Sequence, residues 1–213
     1  MGQDYMKKFM TLSHILLVVV SLYTSTSASQ TLLILGDSLS ASYNIPLEKG
    51  WVPLLEKRLQ NEFPDISVVN ASISGETTGN ALKRLPALLD KFSPSTVVIE
   101  LGGNDGLRGF KLAQIKQNLE QMITLSKQSG ANVVLTGIHI PPNYGPAYTQ
   151  IFYNAYKNLS EQYQTEFVPF ILKDIGEDPE LMQADGVHPT AEAQPKVLEN
   201  MWPHIKRALK SAQ

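Results

Sequence analysis

Five short runs of β-branched and leucine-rich residues, at 31–35, 66–70, 96–101, 132–138 and 167–170, constrain this chain more than any other feature. Each has the length of a buried strand and is bounded by turn residues. The runs are almost continuously apolar instead of alternating, the pattern of strands covered on both faces by helices, and it predicts a parallel sheet. Between them lie stripes at helical spacing: Trp51, Leu54, Leu55 and Leu59; Leu82, Leu85, Leu88 and Leu89; Ile115, Leu119, Met122 and Ile123. Further helices are predicted over 148–163 and 193–210, the last kinked or broken at Pro203. Five strand–helix units joined by right-handed crossovers predict a three-layer α/β/α sandwich around a five-stranded parallel sheet.

Composition narrows the chemistry. With 18 basic and 20 acidic side chains the formal net charge is −2, which excludes an electrostatic nucleic-acid binder. The absence of cysteine removes disulfides, thiolate nucleophiles and cysteine-ligated metal together, so any catalysis uses oxygen or imidazole. Lys7 and Lys8 precede an apolar run at 15–23, followed by small residues including Thr26 and Ala28. This reads as a cleavable signal peptide over 1–28, ahead of a single domain over 29–213. The run is far shorter than the roughly 20 residues a membrane-spanning helix needs, so the expected product has no membrane span and is periplasmic or secreted. Nothing in the sequence demands more than a monomer.

The topology sends the residue following each strand to one edge of the sheet, where open α/β sheets bind ligands. There the chain carries Gly36-Asp37-Ser38-Leu39-Ser40, then Ser72-Ile73-Ser74-Gly75-Glu76, then Gly102-Gly103-Asn104-Asp105, and finally Asp185-Gly186-Val187-His188-Pro189. A serine hydroxyl becomes a useful nucleophile only when a base takes its proton, and neutral imidazole is the matched base near neutral pH. His139 and His188 are the candidates. The spacing of Asp185 and His188 lets one turn present both, the carboxylate fixing the imidazole tautomer, and this favours His188. The negative oxygen formed on attack needs preorganised donors. The backbone amides of Ser38 and Gly75 and the side-chain amide of Asn104 are on offer, glycine allowing close approach of the backbone.

These ordered blocks resemble those of the SGNH (GDSL) hydrolase superfamily, and within it the exported thioesterases, lysophospholipases and arylesterases; the resemblance covers essentially all of 29–213. It implies the flavodoxin-like SGNH hydrolase fold, Ser38 as nucleophile, His188 as base and then acid, Asp185 as its orienting carboxylate, and Ser38, Gly75 and Asn104 as the oxyanion hole. It implies acyl thioesters and carboxylic esters as substrates, with no metal or cofactor. The loops at 106–112 and 140–148 would line an acyl groove, with Leu107, Ile140, Pro141 and Tyr144 as candidates.

Each block alone has a plainer reading. Gly36-Asp37-Ser38 fits a capped turn, Asp185 to Pro189 a solvated turn before a helix, and Gly102 to Asp105 a tight turn needing positive φ. Trp51 and Trp202 read as helix packing, and His204 as a bland helix residue. Tyr144 and Tyr148 either cover an acyl chain or close their loop. Two competing functions remain: a flavodoxin-like binding module whose loop 36–42 cradles a phosphate, and a metal-dependent esterase using Asp37, Asp105, Asp185 and His188 as hard ligands.

Overall fold

The computed structural model describes residues 30–140 and 144–212. Five parallel strands, β1 (Gln30–Gly36), β2 (Ile66–Asn70), β3 (Thr96–Glu100), β4 (Asn132–Thr136) and β5 (Glu166–Val168), lie in the order β2-β1-β3-β4-β5. That is the flavodoxin-like order expected. The helices are α1 (Trp51–Glu62), α2 (Thr78–Phe92), α3 (Gly103–Leu107), α4 (Leu112–Gln128), α5 (Pro146–Tyr163) and α6 (Gln194–Ser211), with a 3-10 turn at Leu47–Lys49. The signal-peptide reading of 1–28 and the candidate Pro141 lie outside the described residues.

Alternation along the strands sorts the apolar side chains into two layers. Leu32, Ile34, Val98 and Val134 point to a core shared with α1 and α6, which contains Trp51 and Trp202. Leu33, Leu35, Val97, Ile99, Val133 and Leu135 point to the core of α2, α4 and α5. Because both faces are buried, no strand needs a polar alternate, which is why the runs read as continuously apolar. Thr77 caps α2 by accepting from the Asn80 N–H at 3.3 Å, and Pro146 opens α5, where its missing N–H costs nothing.

Three boundaries differ from expectation. β5 stops at Val168 because Pro169 cannot donate to the ladder. α6 passes through Pro203 unbroken: Pro203 is exposed, while Met201, Trp202, Ile205, Ala208 and Leu209 on either side are buried against the sheet. Their burial, worth on the order of 1.5–3 kcal/mol for each large side chain, exceeds the roughly 3 kcal/mol cost of an interior proline. The glycine-rich segment after β3, expected as a loop over 102–109, forms the short helix α3. Gly102 makes it possible with φ +109, a conformation closed to most residues.

Candidate active site

The carboxyl ends of β1, β2 and β3 deliver the first three blocks side by side, as the parallel register requires. The fourth does not follow β5 directly. Residues 169–184 intervene, and the block is held by an antiparallel bridge between Met182 and Pro189 and by Gln183, whose N–H donates to the His188 carbonyl at 2.8 Å. Gln183 also reaches the other side of the cleft, donating from Nε2 to the Tyr43 carbonyl at 3.1 Å. The turn carrying the histidine is thereby tied to the loop carrying the serine.

Across that junction Ser38 Oγ lies 2.8 Å from His188 Nε2, and His188 Nδ1 lies 2.7 Å from Asp185 Oδ2. The carboxylate accepts from Nδ1–H, which leaves Nε2 free to accept from the serine hydroxyl. Asp185 Oδ1 accepts from the backbone N–H groups of Val187 at 2.9 Å and His188 at 3.0 Å, so one carboxylate orients both the turn and the ring. Burial works against its charge, but the His188 N–H, the His188 ring and the Val187 N–H outweigh it and hold Asp185 down to about 2. Asp185 is exposed and His188 half-buried, with the Tyr43 ring 4.4 Å from the imidazole.

Beneath the serine is a buried carboxylate pair. Asp37 accepts from the Leu39 N–H at 3.1 Å and from Asn104 Nδ2 at 3.0 Å. Its own N–H and the Ser40 hydroxyl donate to Glu100 Oε2 at 3.4 and 2.9 Å. Burial pushes Asp37 up to about 6, the hydrogen bonds from Leu39 and Asn104 and the charge of His188 offsetting part of the rise. Burial and the neighbouring Asp37 raise Glu100 well above the usual carboxylate range, and its Oε1 is buried without a hydrogen-bond partner. A carboxyl group there is stable in its protonated form.

The two expected backbone donors are unused: among the described residues neither the Ser38 N–H nor the Gly75 N–H makes a hydrogen bond. Gly75 has φ +76, and its carbonyl accepts from Arg108 Nη2 at 3.2 Å, which fixes the peptide from outside. The rest of that loop is held by Arg84, paired with Glu76 at 2.6 Å and donating to the Ala71 carbonyl at 2.9 Å. Asp105 secures the start of α2, accepting from the Thr78 N–H at 2.9 Å and its hydroxyl at 2.5 Å.

Other candidates separate. His139 stacks on Phe170 at 4.3 Å and meets Tyr153 edge-on at 4.7 Å. His204 sits on α6 between Glu166 and Arg207. Tyr144 donates to the Leu107 carbonyl at 3.1 Å, joining the two loops expected to line a groove, whereas Ile140 is buried in the core against Gly106. Of the hard ligands of the metal reading, Asp37 and Asp105 turn onto backbone and side-chain donors. Among the described residues no three acidic or histidine groups are spaced to hold an ion. Tyr43, Arg108 and Glu100 were not singled out by the sequence. Only Glu100 carries a signal there, as an acid ending an apolar strand run.

The family described as GDSL-like lipase/acylhydrolase matches residues 34–194. The chain belongs to this family. It is 52% identical over 188 residues to the esterase TesA of Pseudomonas aeruginosa, an alignment covering 88% of this chain and 94% of that protein. It is 43% identical over 185 residues to the thioesterase 1/protease 1/lysophospholipase L1 of Escherichia coli K12, covering 87% of this chain and 88% of that one. Among solved structures, the psychrotrophic esterase EstA of a Pseudoalteromonas species, inhibited by monoethylphosphonate, superposes with a TM-score of 0.81 at 45% identity, over 85% of this chain and 99% of that one.

Proposed function

We propose that the protein is an exported serine hydrolase that cleaves acyl esters and thioesters through an acyl-enzyme. The observation that carries this reading is the continuous relay from Ser38 Oγ through His188 to Asp185, at 2.8 and 2.7 Å. In the proposed cycle His188 Nε2 takes the serine proton as Oγ attacks the carbonyl carbon. The carbonyl oxygen, now negative, is received by the N–H groups of Ser38 and Gly75 and by the Asn104 amide. His188 then gives its proton to the departing alcohol or thiol. Water, activated by the same nitrogen, releases the acid and restores Ser38. Asp185 stays ionised throughout and stabilises the imidazolium.

The esterase, thioesterase and lysophospholipase names of the relatives support this substrate range. Leu107 and Tyr144, joined at the mouth, are proposed walls for the acyl chain. Export follows from the signal-peptide reading of 1–28.

A phosphate-binding loop after β1 is the alternative of a different class, and the hydrogen bonding disfavours it. The N–H groups of Leu39, Ala41 and Tyr43, which a phosphate would need, already donate to Asp37 Oδ1, the Asp37 carbonyl and the Ser38 carbonyl. The test is intact mass after incubation with a fluorophosphonate, run on the protein and on Ser38→Ala. A single adduct that disappears with Ser38 is the expected result. No adduct on folded protein would overturn the mechanism.

A further inference from the structure

Large apolar side chains that remain exposed are not spread over this molecule. Among the described residues every one of them lies in a connection that follows a strand or in the first two turns of the helix after it. The connections at the opposite edge of the sheet contribute none. Four sit on one flank of the nucleophile: Ile73 before α2, Phe110 before α4, Tyr144 before α5 and Ile151 within α5, the last 58% exposed. Their segments touch. Arg108 bonds the Gly75 carbonyl, Tyr144 bonds the Leu107 carbonyl, and the Tyr144 and Tyr148 rings stack at 6.4 Å. Tyr43, Leu47 and Val187 continue the rim on the far side, Tyr43 against the His188 ring.

The charges on that flank have one sign. Arg108 and Lys111 bracket Phe110 and are exposed. The two carboxylates of the same segments are withdrawn: Asp105 is buried on Thr78, and Glu76 is buried and paired with Arg84. The exposed acidic side chains of this edge lie away from that flank: Glu48 beside Leu47 in the β1–α1 connection, and Asp174, Glu177, Asp178, Glu180, Asp185 and Glu192 in the β5–α6 connection.

We propose that this flank is a docking surface for a phosphate-bearing lipid surface, on which the enzyme rests with its catalytic cleft facing the lipid. The inference rests on the hydrolase reading of the site and adds how substrate reaches it. Apolar side chains mounted on three separate loops and the first turns of α5 suit shallow insertion into a fluid interface. Exposed cations without opposing carboxylates complement headgroup phosphates. A folded protein seated here would close the cleft, whereas a lipid surface supplies acyl esters to it.

The experiment is flotation of the purified protein with vesicles of phosphatidylcholine alone and of phosphatidylcholine mixed equally with phosphatidylglycerol. It is repeated on Phe110→Asp/Ile151→Asp and on Lys111→Glu. Turnover of a short, monomeric p-nitrophenyl ester and circular dichroism are measured on each. All three proteins share the same N-terminal segment, so differences between them report the patch. The protein should float, more with the mixed vesicles. The double substitution should lower binding at least about tenfold while the circular dichroism of the folded protein is retained. Lys111→Glu should weaken binding to the mixed vesicles alone, by several fold. Equal flotation of all three proteins overturns the proposal, as does failure of the unsubstituted protein to float. A dimer without vesicles that the double substitution dissociates overturns it too, because a second copy then covers the patch. If the double variant loses its fold, Lys111→Glu decides the matter. A protein that floats normally yet turns over no ester refutes the hydrolase reading and leaves the surface standing.

Discussion

Replacing Gly102 with alanine should cost the protein about 5 kcal/mol, and a second substitution should return part of that. Gly102 joins β3 to α3, the helix that carries Asn104, with φ +109 and ψ −10. A Cβ on it would stand 1.8 Å from the Tyr156 hydroxyl oxygen and 3.2 Å from the ring carbon bearing it. Tyr156 is fully buried, and its hydroxyl donates to the Leu101 carbonyl at 2.9 Å, so it cannot yield without breaking that bond. Backbone strain accounts for about 1–3 kcal/mol. Overpacking, or the broken buried hydrogen bond that relieves it, accounts for a similar amount each. Five kcal/mol is a large part of the roughly 5–15 kcal/mol that holds a domain folded. It corresponds to a fall in melting temperature on the order of 10–20 °C.

Tyr156→Phe removes the atom at 1.8 Å and leaves the carbon at 3.2 Å, which a shift of a few tenths of an ångström would accommodate. Alone it should cost about 1–3 kcal/mol, for a buried Leu101 carbonyl left without its donor. Combined with Gly102→Ala it should make the protein more stable than Gly102→Ala alone, leaving mainly backbone strain and the lost hydrogen bond. Urea unfolding of the four proteins closes the cycle, with an expected coupling of about 3 kcal/mol in the favourable direction. Additive costs would refute the steric account and assign the whole penalty of Gly102→Ala to its backbone.

Four further outcomes follow from the site. Asp185→Asn leaves shape intact but presents no carboxylate to His188 Nδ1, so kcat should fall on the order of 10⁴-fold with fluorophosphonate labelling slowed in parallel; a tenfold loss would mean the carboxylate does not set the tautomer. Because the unsubstituted Asp185 titrates at about 2, its carboxylate stays charged between pH 8 and 4 and accounts for none of the activity lost there, and any stability from Asp185, present above about pH 4 and lost as pH falls through 2, should be small at so exposed a group. Asn104→Ala should lower kcat by about 10²–10³ with KM little changed, whereas a matching rise in KM would show a role in ground-state binding. Asp37 runs the other way in pH: folded, it keeps its proton up to about 6, so the stability tied to it falls as pH rises from 4 through 6, by about 3 kcal/mol. Asp37→Asn should make the fall of the urea midpoint over that range shallower, Glu100 still contributing, and parallel curves for the two proteins would disprove the assignment.

What the sequence made legible is what depends on local pattern. Strands buried on both faces announce themselves as unbroken apolar runs, and the stripes of α1, α2 and α4 follow from one buried face each. Ser38, Asp185 and His188, which the structure joins by hydrogen bonds, were readable as candidates because each stands in a short block whose chemistry is local. The misses depend on contacts between distant segments. The segment after β3 has the composition of a turn, and it is helical because Asp105 is held by Thr78 and Gly102 accepts a left-handed φ beneath Tyr156. Pro203 should interrupt a helix considered alone, and the buried residues around it reverse the outcome. Tyr43 and Arg108 lie in loops whose composition does not reveal that one meets the histidine and the other the Gly75 carbonyl.

Glu100 lies between these cases and shows how far fold and site share the same residues. An acid ending an apolar strand is conspicuous in the sequence, but its use depends on strand order. β3 is beside β1, so Glu100 pairs in register with Gly36 and receives the Asp37 N–H and the Ser40 hydroxyl. β2 lies on the other side of β1, and Asn70 at its end donates to the Ser40 carbonyl at 2.8 Å. The serine loop is therefore held from both neighbours in the sheet, and Asp37 within it holds Asn104. A different strand order would leave the same four motifs in the chain and separate the groups that hold them. The site thus belongs to the order β2-β1-β3 as much as to Ser38, which is why Asn70, Ser40 and Glu100 are needed to place Ser38 and Asn104.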